Sequence, residues 1–314
     1  MPIHATPLEW GLFLALIFGL LAADLGIVHR HGREAGLGES IFWSVLWTAL
    51  ALAFGWWLGA TFGKRPGLEF LTGYVVERAL SFDNLLLFVV LFRYFAVPRQ
   101  EQHRVLFWGV LGALATRGLF VGLGSVLLRR FGSLFLLFGA FLVWSGIAVL
   151  RDPDKQIEPE RSRALRLFRR LMPLSPYHGN RFFVRLDGKL HATPLALTLV
   201  AIEATDVVFA VDSIPAVFGI TRDPFIVFTS NIFAILGLRA LYFPIAALVD
   251  RFHYLRYALG LVLAFVGAKM LVQPWYDLST GLSLGVVLAL LAGSIALSLL
   301  RPRPASPPPP SPPA

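Results

Sequence analysis

Nine apolar segments, each of about 20 residues, follow one another along this chain, and a helix of that length crosses the roughly 30 Å hydrocarbon core of a bilayer. Charged residues make up 15% of the 314 residues, against about 25% in soluble domains. The sequence therefore predicts an all-α polytopic bundle of transmembrane helices and excludes a disordered protein. The predicted spans are 8–28, 40–62, 67–92, 104–127, 131–150, 194–218, 224–249, 255–273 and 279–300.

The distribution of lysine and arginine predicts how the chain is oriented. Loops and ends on one side hold 19 of the 28 basic residues, counted with Arg104 and Arg256 at the very start of their spans. The other side holds five, and four lie deeper within the predicted spans. By the positive-inside rule the N-terminus faces outward and the C-terminus lies in the cytoplasm. Because the basic residues alternate with apolar runs, we explain the net charge of +9 by topology and expect no nucleic-acid partner.

The chain divides into a transmembrane domain over 1–300 and a proline-rich tail over 301–314 that we expect to be disordered. The domain contains one long cytoplasmic loop, 151–193, which holds ten of the basic residues. Apolar residues at helical spacing predict a basic amphipathic helix over 161–172 that contacts an anionic inner leaflet. The alternative is a solvated connector whose charge only fixes topology.

Ten charged residues lie beyond the first turn of a predicted span, where each costs about 2.5–3.5 kcal/mol at a helix centre before any pairing. Structural ion pairs between helices explain some of them, and the basic residues in particular pair with carboxylates or reach the interface. The acids outnumber the bases by two, and this surplus predicts a bound cation. The acids are Asp24, Glu77, Asp83, Glu203, Asp206 and Asp212, and the bases are Arg78, Arg117, Arg239 and Lys269.

Two acidic segments resemble each other. In each, two acids lie six residues apart, an amide or hydroxyl residue follows the second acid, and an arginine follows one predicted span later. The similarity predicts an internal repeat, and transporters built from repeats place their sites at the repeat interface near mid-membrane. The two sets are Glu77, Asp83, Asn84 and Arg117, and Asp206, Asp212, Ser213 and Arg239.

Six residues turn a straight helix by about 600°, which places two such acids some 120° apart. Both reach one small site only if the helix kinks or unwinds between them, or if the site lies between several helices. Pro215 predicts such a break and a free carbonyl near Val211. Glu203 and Asp206, three residues apart, share a face.

The available donors favour a hard cation. The chain has no cysteine, and its seven histidines lie in predicted loops or at helix ends. Carboxylates, amides, hydroxyls and carbonyls suit Mg²⁺, Ca²⁺ or Mn²⁺ and are poor ligands for Cu⁺ or structural Zn²⁺. Ligand type does not separate these three ions. Burial favours the protonated carboxyl group and a bound cation favours the carboxylate, so the surplus acids can also exchange protons.

Three long motifs, in this order, resemble the TerC family of bacterial integral membrane proteins. The resemblance covers about 70–275 and implies export of manganese across the inner membrane, within a superfamily built from three-helix units. The family name refers to tellurite resistance, which is a phenotype. The motifs are Glu77-Arg-Ala-Leu-Ser-Phe-Asp83-Asn84, Ile202-Glu203-Ala-Thr-Asp206-Val-Val-Phe-Ala-Val-Asp212-Ser213-Ile-Pro215-Ala and Thr229-Ser-Asn231-Ile-Phe-Ala-Ile-Leu-Gly-Leu-Arg239-Ala-Leu-Tyr242.

These observations favour an exporter of Mn²⁺, driven by proton exchange, with no enzymatic activity and no resident cofactor. A non-transporting scaffold of a metal or tellurite stress-response complex is the alternative, and a membrane-embedded hydrolase is a weaker third reading. We assign Asp24 to a proton path, and Arg117, Arg239 and Lys269 to a proton path or to charge pairing. The predicted metal ligands are Glu77, Asp83, Asn84, Glu203, Asp206, Asp212 and Ser213.

Overall fold

The computed structural model is helical almost throughout. It describes residues 6–29, 37–152, 163–176, 178–186, 188–238, 241–242, 254–276 and 278–301. The elements in this part of the chain are α1 (Pro7–His29), α2 (Leu37–Phe62), α3 (Lys64–Tyr94), α4 (Arg99–Arg130), α5 (Leu134–Arg151), α6 (Arg163–Leu171), β1 (Phe183–Leu186), β2 (Lys189–Ala192), α7 (Pro194–Phe218), α8 (Pro224–Leu236), α9 (Leu255–Val272) and α10 (Thr280–Leu300).

Six of these helices are long and apolar enough to cross a membrane, namely α2, α4, α5, α7, α9 and α10. Large apolar side chains such as Trp56, Leu119 and Trp144 lie exposed on their outer faces. A water-soluble protein rarely exposes so much contiguous apolar surface, whereas lipid covers it in a membrane. The prediction of an all-α polytopic bundle is confirmed.

Helix α3, of 31 residues, is enclosed by its neighbours. It packs against α2, α7, α8 and α10, so Glu69 and Glu77 are buried in protein. Its terminal charges Lys64, Arg65 and Arg93 are exposed. The predicted span 224–249 contains α8, which ends at Leu236, and most of the remainder of that span lies outside the described residues. The count of nine spans therefore stays a prediction.

Local capping fixes where several helices begin. Pro224 opens α8, and the Asp223 side chain accepts hydrogen bonds from the backbone nitrogens of Phe225 at 2.9 Å and Ile226 at 3.3 Å. The N–H groups in the first turn of a helix have no partner within the helix. The Asp223 carboxylate accepts from two of them, and Pro224 has no N–H group that would need a partner. Ser279 caps α10 in the same way through the backbone nitrogen of Leu282.

Helices α5 and α9 pack backbone to backbone through glycines. Gly139 faces Gly267, and Gly146 faces Gly260, with a seven-residue spacing on each helix. A Cβ atom built on Gly267 would lie 2.6 Å from the Gly139 carbonyl oxygen. Small residues let membrane helices approach this closely, which gives this pair the most extensive packing contact between described elements.

The loop 151–193 contains structure that the sequence predicted only in part. Helix α6 forms within the predicted segment 161–172 and packs Leu165 against α7, but Leu171, predicted on its apolar face, is exposed. An antiparallel hairpin, β1–β2, follows and was not predicted. The Asp-Gly pair between its strands is a hairpin signal that the sequence carried. Residues 153–162 and the tail 302–314 lie outside the described residues.

Candidate functional site

Arg117 of α4 joins four helices in the centre of the bundle. Its side chain is fully buried, and it donates hydrogen bonds to Glu77 of α3 and to Asp206 of α7, the latter with Nη2 at 2.9 Å from Oδ1. The Nη1 atom also lies 3.0 Å from Oδ1 of Asn231 on α8 and 3.3 Å from Oγ of Ser213 on α7. We call these five residues the Arg117 cluster.

The Arg117 cluster holds one guanidinium and two carboxyl groups. Glu77 and Asn231 are fully buried, and Asp206 is 4% exposed. With both acids ionised, the cluster carries one net negative charge in a place where an unpaired charge costs several kcal/mol. One guanidinium cannot neutralise both acids, so a further cation or a proton is required for charge balance.

Three oxygen atoms on one face of α3 have no hydrogen-bond partner among the described residues. They are Oε2 of Glu77, Oγ of Ser81 and Oδ1 of Asn84, and all three are buried. The residues lie four and three positions apart, which places them along one stripe of a helix. Buried polar atoms are nearly always paired, so a row of three unpaired acceptors indicates an occupant, either water or a cation.

A cavity of about 80 Å³ lies beside this row. Glu77 and Asn84 of α3 line it on one side, and Asp212 and Ser213 of α7 line it on the other. Such a volume holds a cation with a few waters, since one water fills at least about 10–15 Å³ by this measure. Arg117 contributes to the wall, and apolar side chains close the rest: Leu80, Val149, Phe209, Leu259 and Leu263.

Asp206 and Asp212 of α7 serve two different places. The helix is continuous from Pro194 to Phe218 and does not unwind at Pro215. Asp206 turns toward Arg117, whereas Asp212 lines the cavity with the Ser145 hydroxyl of α5 beside its carboxyl group. The two acids therefore use the other arrangement that their spacing allowed, a site between several helices.

Glu203 lies apart from the cavity. Its carboxyl group packs against Gly112 of α4, where any Cβ atom would overlap it, and its Oε1 atom has no partner among the described residues. It is half-buried. It shares a face of α7 with Asp206, as the three-residue spacing predicted, and does not line the cavity.

The described part of the structure does not place four of the predicted residues in the cavity wall or in the Arg117 cluster. Lys269 is buried in α9, six residues beyond Leu263 of the cavity wall. Asp24 and Asp83 lie on α1 and α3, with side chains outside what the structure describes, and Arg239 lies outside it altogether. Within the described part of the chain, no group of three His, Asp or Glu side chains is close enough to hold a metal ion by itself.

Three residues contribute to the site region without having been assigned to it from the sequence. From the sequence, the Asn231 amide is one of several possible oxygen donors and was not assigned as a metal ligand. The signal that could have identified it is its position in a motif that resembles the family. Ser145 is a single hydroxyl in an apolar helix and gave no signal. Arg78 donates a 2.8 Å hydrogen bond to the Ala234 carbonyl oxygen near the end of α8, where a cation stabilises the helix dipole.

The described helices that carry these residues fall within a region that a known family matches. The model of the integral membrane protein TerC family matches residues 62–305. The chain belongs to the TerC family. This stretch contains α3 to α10 and every residue of the Arg117 cluster.

Relatives extend the TerC match over nearly the whole chain. An uncharacterized membrane protein of Myxococcus xanthus is 45% identical over 306 residues, covering 96% of this chain and 95% of the relative. The putative membrane-bound redox modulator Alx of Escherichia coli K12 is 43% identical over 296 residues, covering 91% and 92%. A membrane protein of Rickettsia bellii is 36% identical over 295 residues. No solved structure matches the chain.

Proposed function

We propose that this TerC-family protein exports a hard divalent cation, Mn²⁺, from the cytoplasm in exchange for protons across the bacterial inner membrane. The observation that carries the proposal is the row of unpaired oxygens on α3 at Glu77, Ser81 and Asn84. Glu77 and Asn84 of this row also line the cavity that contains Asp212, beside the Arg117 cluster. Unpaired acceptors with surplus negative charge attract a cation and repel an anion.

The donors of this site are all oxygen atoms. The described lining contributes carboxylates, an amide and a hydroxyl, which suit Mn²⁺, Mg²⁺ and Ca²⁺ rather than soft ions. Mg²⁺ demands a tight octahedral shell near 2.0–2.1 Å and loses water reluctantly, whereas Mn²⁺ accepts a mixed carboxylate and amide shell more readily. The choice of Mn²⁺ among these ions rests on the family resemblance.

Exchange follows from the competition between cations for the same acids. Glu77 and Asp206 bind the Arg117 guanidinium in the present structure. An arriving divalent ion adds the positive charge that the cluster lacks, and protons supply it when the ion has left. Ion and proton thus bind alternately to one set of carboxyl groups, with Asp83 and Asp212 as further ligands and Asp24 as a proton carrier.

Some relatives carry the name redox modulator, and that name describes those proteins. The present chain contains no cysteine, so thiol–disulfide exchange within it is not available. Metal export is the proposal that uses the buried carboxyl, amide and hydroxyl groups of this chain.

Inside-out membrane vesicles test the proposal, because export then appears as uptake. We expect Mn²⁺ uptake that requires an acidic lumen and stops when an ionophore collapses the pH gradient. Ca²⁺ should compete measurably, Mg²⁺ weakly, and Cu⁺ should not be carried. Asp83→Asn and Asp212→Asn should each lower the uptake by more than about tenfold, since each removes a negative charge from an intramembrane ion site.

Glu39→Gln is the matched control, because it neutralises an exposed acid at the start of α2. It should transport like the unmodified protein. If Mn²⁺ uptake is absent, or if the aspartate variants transport normally while removal of 163–171 abolishes cellular manganese tolerance, the scaffold alternative is correct and the exporter is not.

A further inference from the structure

A second and larger cavity, of about 440 Å³, lies between α1, α4 and α8. One wall is a face of α4 formed by Gly118, Gly122, Ser125 and Arg129, at helical spacings of four, three and four residues. The other walls are formed by Trp10 of α1, by Asp223, which caps α8, and by the first residues of α8 as far as Phe228. We call this space the outer cavity.

The lining of the outer cavity is half polar. Asp223 and Arg129 place an acid and a base at one end, and Ser125 adds a hydroxyl. Two glycines leave the backbone of α4 as the wall, and a Cβ atom on Gly122 would meet nothing within 4 Å. Arg129 and Asp223 lie just outside the predicted spans 104–127 and 224–249, at a level where water reaches charged groups.

The opposite end of the outer cavity approaches the Arg117 cluster. Gly118 follows Arg117 directly, and Val121, also in the lining, lies one turn further along α4. On α8, Phe228 lies three residues before Asn231, which accepts a hydrogen bond from Arg117. About one helical turn, roughly 5.4 Å, therefore separates the floor of the cavity from the charged cluster.

Phe228 forms this floor. A Cβ atom on Gly118 would lie 3.4 Å from the Phe228 ring, so the ring packs on the bare backbone of α4. The ring also contacts Trp10, at 5.4 Å between centroids, and Phe13, at 6.0 Å. An aromatic layer one turn thick blocks a hydrated ion, and a rotation of one side chain is enough to open it.

We infer that the outer cavity is an aqueous vestibule open to the extracytoplasmic side and that Phe228 is the gate between it and the cation site. The end of α4 and the 219–223 turn lie on the side that holds few basic residues, which assigns the opening to the outside. The cargo, a divalent cation leaving the cell, rests on the proposed function. The vestibule itself does not.

The absence of cysteine from the chain permits a direct test, since one introduced cysteine is then the only thiol. We would place single cysteines along the wall by Ser125→Cys, Gly122→Cys and Gly118→Cys. Leu123→Cys is the matched control, because Leu123 is exposed on the lipid-facing side of the same turn of α4. The thiolate is the nucleophile that attacks a maleimide, and it forms in water and not in hydrocarbon.

A membrane-impermeant maleimide should label Ser125→Cys and Gly122→Cys in right-side-out vesicles and not in inside-out ones. Gly118→Cys should react more slowly, and adding Phe228→Ala should raise its rate by at least about tenfold, as water reaches the thiolate. Leu123→Cys should stay unlabelled from both sides. Labelling after denaturation gives the total protein in each sample.

The vestibule is overturned if Ser125→Cys and Gly122→Cys stay unlabelled from both sides, or if they react only from the cytoplasmic side. The gate is overturned if Phe228→Ala leaves the rate at Gly118→Cys unchanged. Labelling does not depend on transport. If the cysteines are labelled as expected but Mn²⁺ uptake is absent, the result contradicts the proposed function and leaves the vestibule intact. Mn²⁺ uptake without labelling contradicts the vestibule alone.

Discussion

At the scale of single residues, Arg117 decides the electrostatics of the membrane interior. Its planar guanidinium reaches Glu77 and Asp206 on different helices, which the compact ammonium group of a lysine would not do with the same geometry. Removing one partner of a buried ion pair leaves an uncompensated charge. Arg117 therefore stabilises the bundle, and under the proposed function it occupies acids that the transported cation needs.

Arg117→Gln should destabilise the protein by about 3–5 kcal/mol, because Glu77 and Asp206 lose their cation. The midpoint of thermal unfolding in detergent measures the loss. Added Mn²⁺ should raise that midpoint more in the variant than in the unmodified protein, since a bound ion replaces the missing charge and shifts the unfolding equilibrium.

Arg130→Gln is the control, because Arg130 is an exposed arginine at the end of the same helix. Its unfolding midpoint and its response to Mn²⁺ should match those of the unmodified protein. An Arg117→Gln variant that Mn²⁺ stabilises no better than this control would separate the Arg117 cluster from the metal site.

At the scale of elements, the glycine-packed pair α5–α9 closes one side of the cation cavity. Val149 of α5 and Leu259 and Leu263 of α9 form its apolar wall, and Gly146 and Gly260 hold the two backbones together between them. A wider helix separation would open this wall to lipid. The packing of one helix pair therefore sets the volume available to the ion.

Gly146→Leu should destabilise the bundle by more than about 1–3 kcal/mol, since an added side chain there overpacks a rigid interface. A Cβ atom at this position would lie 2.7 Å from the Ala264 backbone nitrogen, and the backbone cannot yield as a side chain would. Gly285→Leu on α10 is the control, because nothing lies within 4 Å of its Cβ position. Equal unfolding midpoints for both variants would contradict the close α5–α9 packing.

Helix α6 presents exposed Arg166, Arg169 and Arg170 together with exposed Leu167 and Leu171, while Leu165 anchors it on α7. Basic and apolar side chains on one solvent-facing surface fit an anionic leaflet, and each arginine contributes about 1 kcal/mol.

Replacing Arg166, Arg169 and Arg170 together by glutamine should lower the number of phosphatidylglycerol molecules that co-purify, as counted by native mass spectrometry. Arg130→Gln, at the opposite end of the bundle, should retain them. Equal lipid retention in the triple variant would support the solvated-connector interpretation of the loop.

At the scale of the whole molecule, the helix contacts support an internal repeat. Helix α3 packs against α8, and α4 packs against α7, while α3–α7, α4–α8 and α5–α9 also contact one another. If α3, α4 and α5 exchange places with α7, α8 and α9 about a two-fold axis, the α3–α8 contact becomes the α7–α4 contact and the reverse. The α3–α7, α4–α8 and α5–α9 contacts each map onto themselves. The contacts thus support the predicted repeat, and in such a repeat the acidic helices α3 and α7 meet at the interface, where repeat-built transporters bind their cargo.

The charge asymmetry of the loops predicts that a reporter fused at residue 1 is outside and one fused at residue 314 is in the cytoplasm. An alkaline phosphatase fusion, active only outside, and a fluorescent protein fusion, fluorescent inside, measure the two ends. Reporters on the same side would require an even number of spans and would contradict the nine-span count.

The sequence by itself determined the membrane class, the family and the positions of most helices, because lipid forces every span to be an uninterrupted apolar helix that satisfies its own backbone. Hydropathy and the two acidic motifs are local signals, and they can be recognised in the sequence without knowledge of the fold. The same reasoning placed the buried charges on α3, α4 and α7 and identified the oxygen donors.

Tertiary structure alone decided which of these charges meet. Arg117 joins Glu77 and Asp206 across 40 and 89 positions of sequence, and Ser145 reaches Asp212 only because α5 packs beside α7. Helix α7 is continuous through Pro215, so Asp206 and Asp212 reach groups on flanking helices without unwinding between them. Distances between spans depend on how the helices pack. Glycine contacts such as Gly146–Gly260 set that packing through steric fit between two helices. The residue periodicity of a single span does not contain this information.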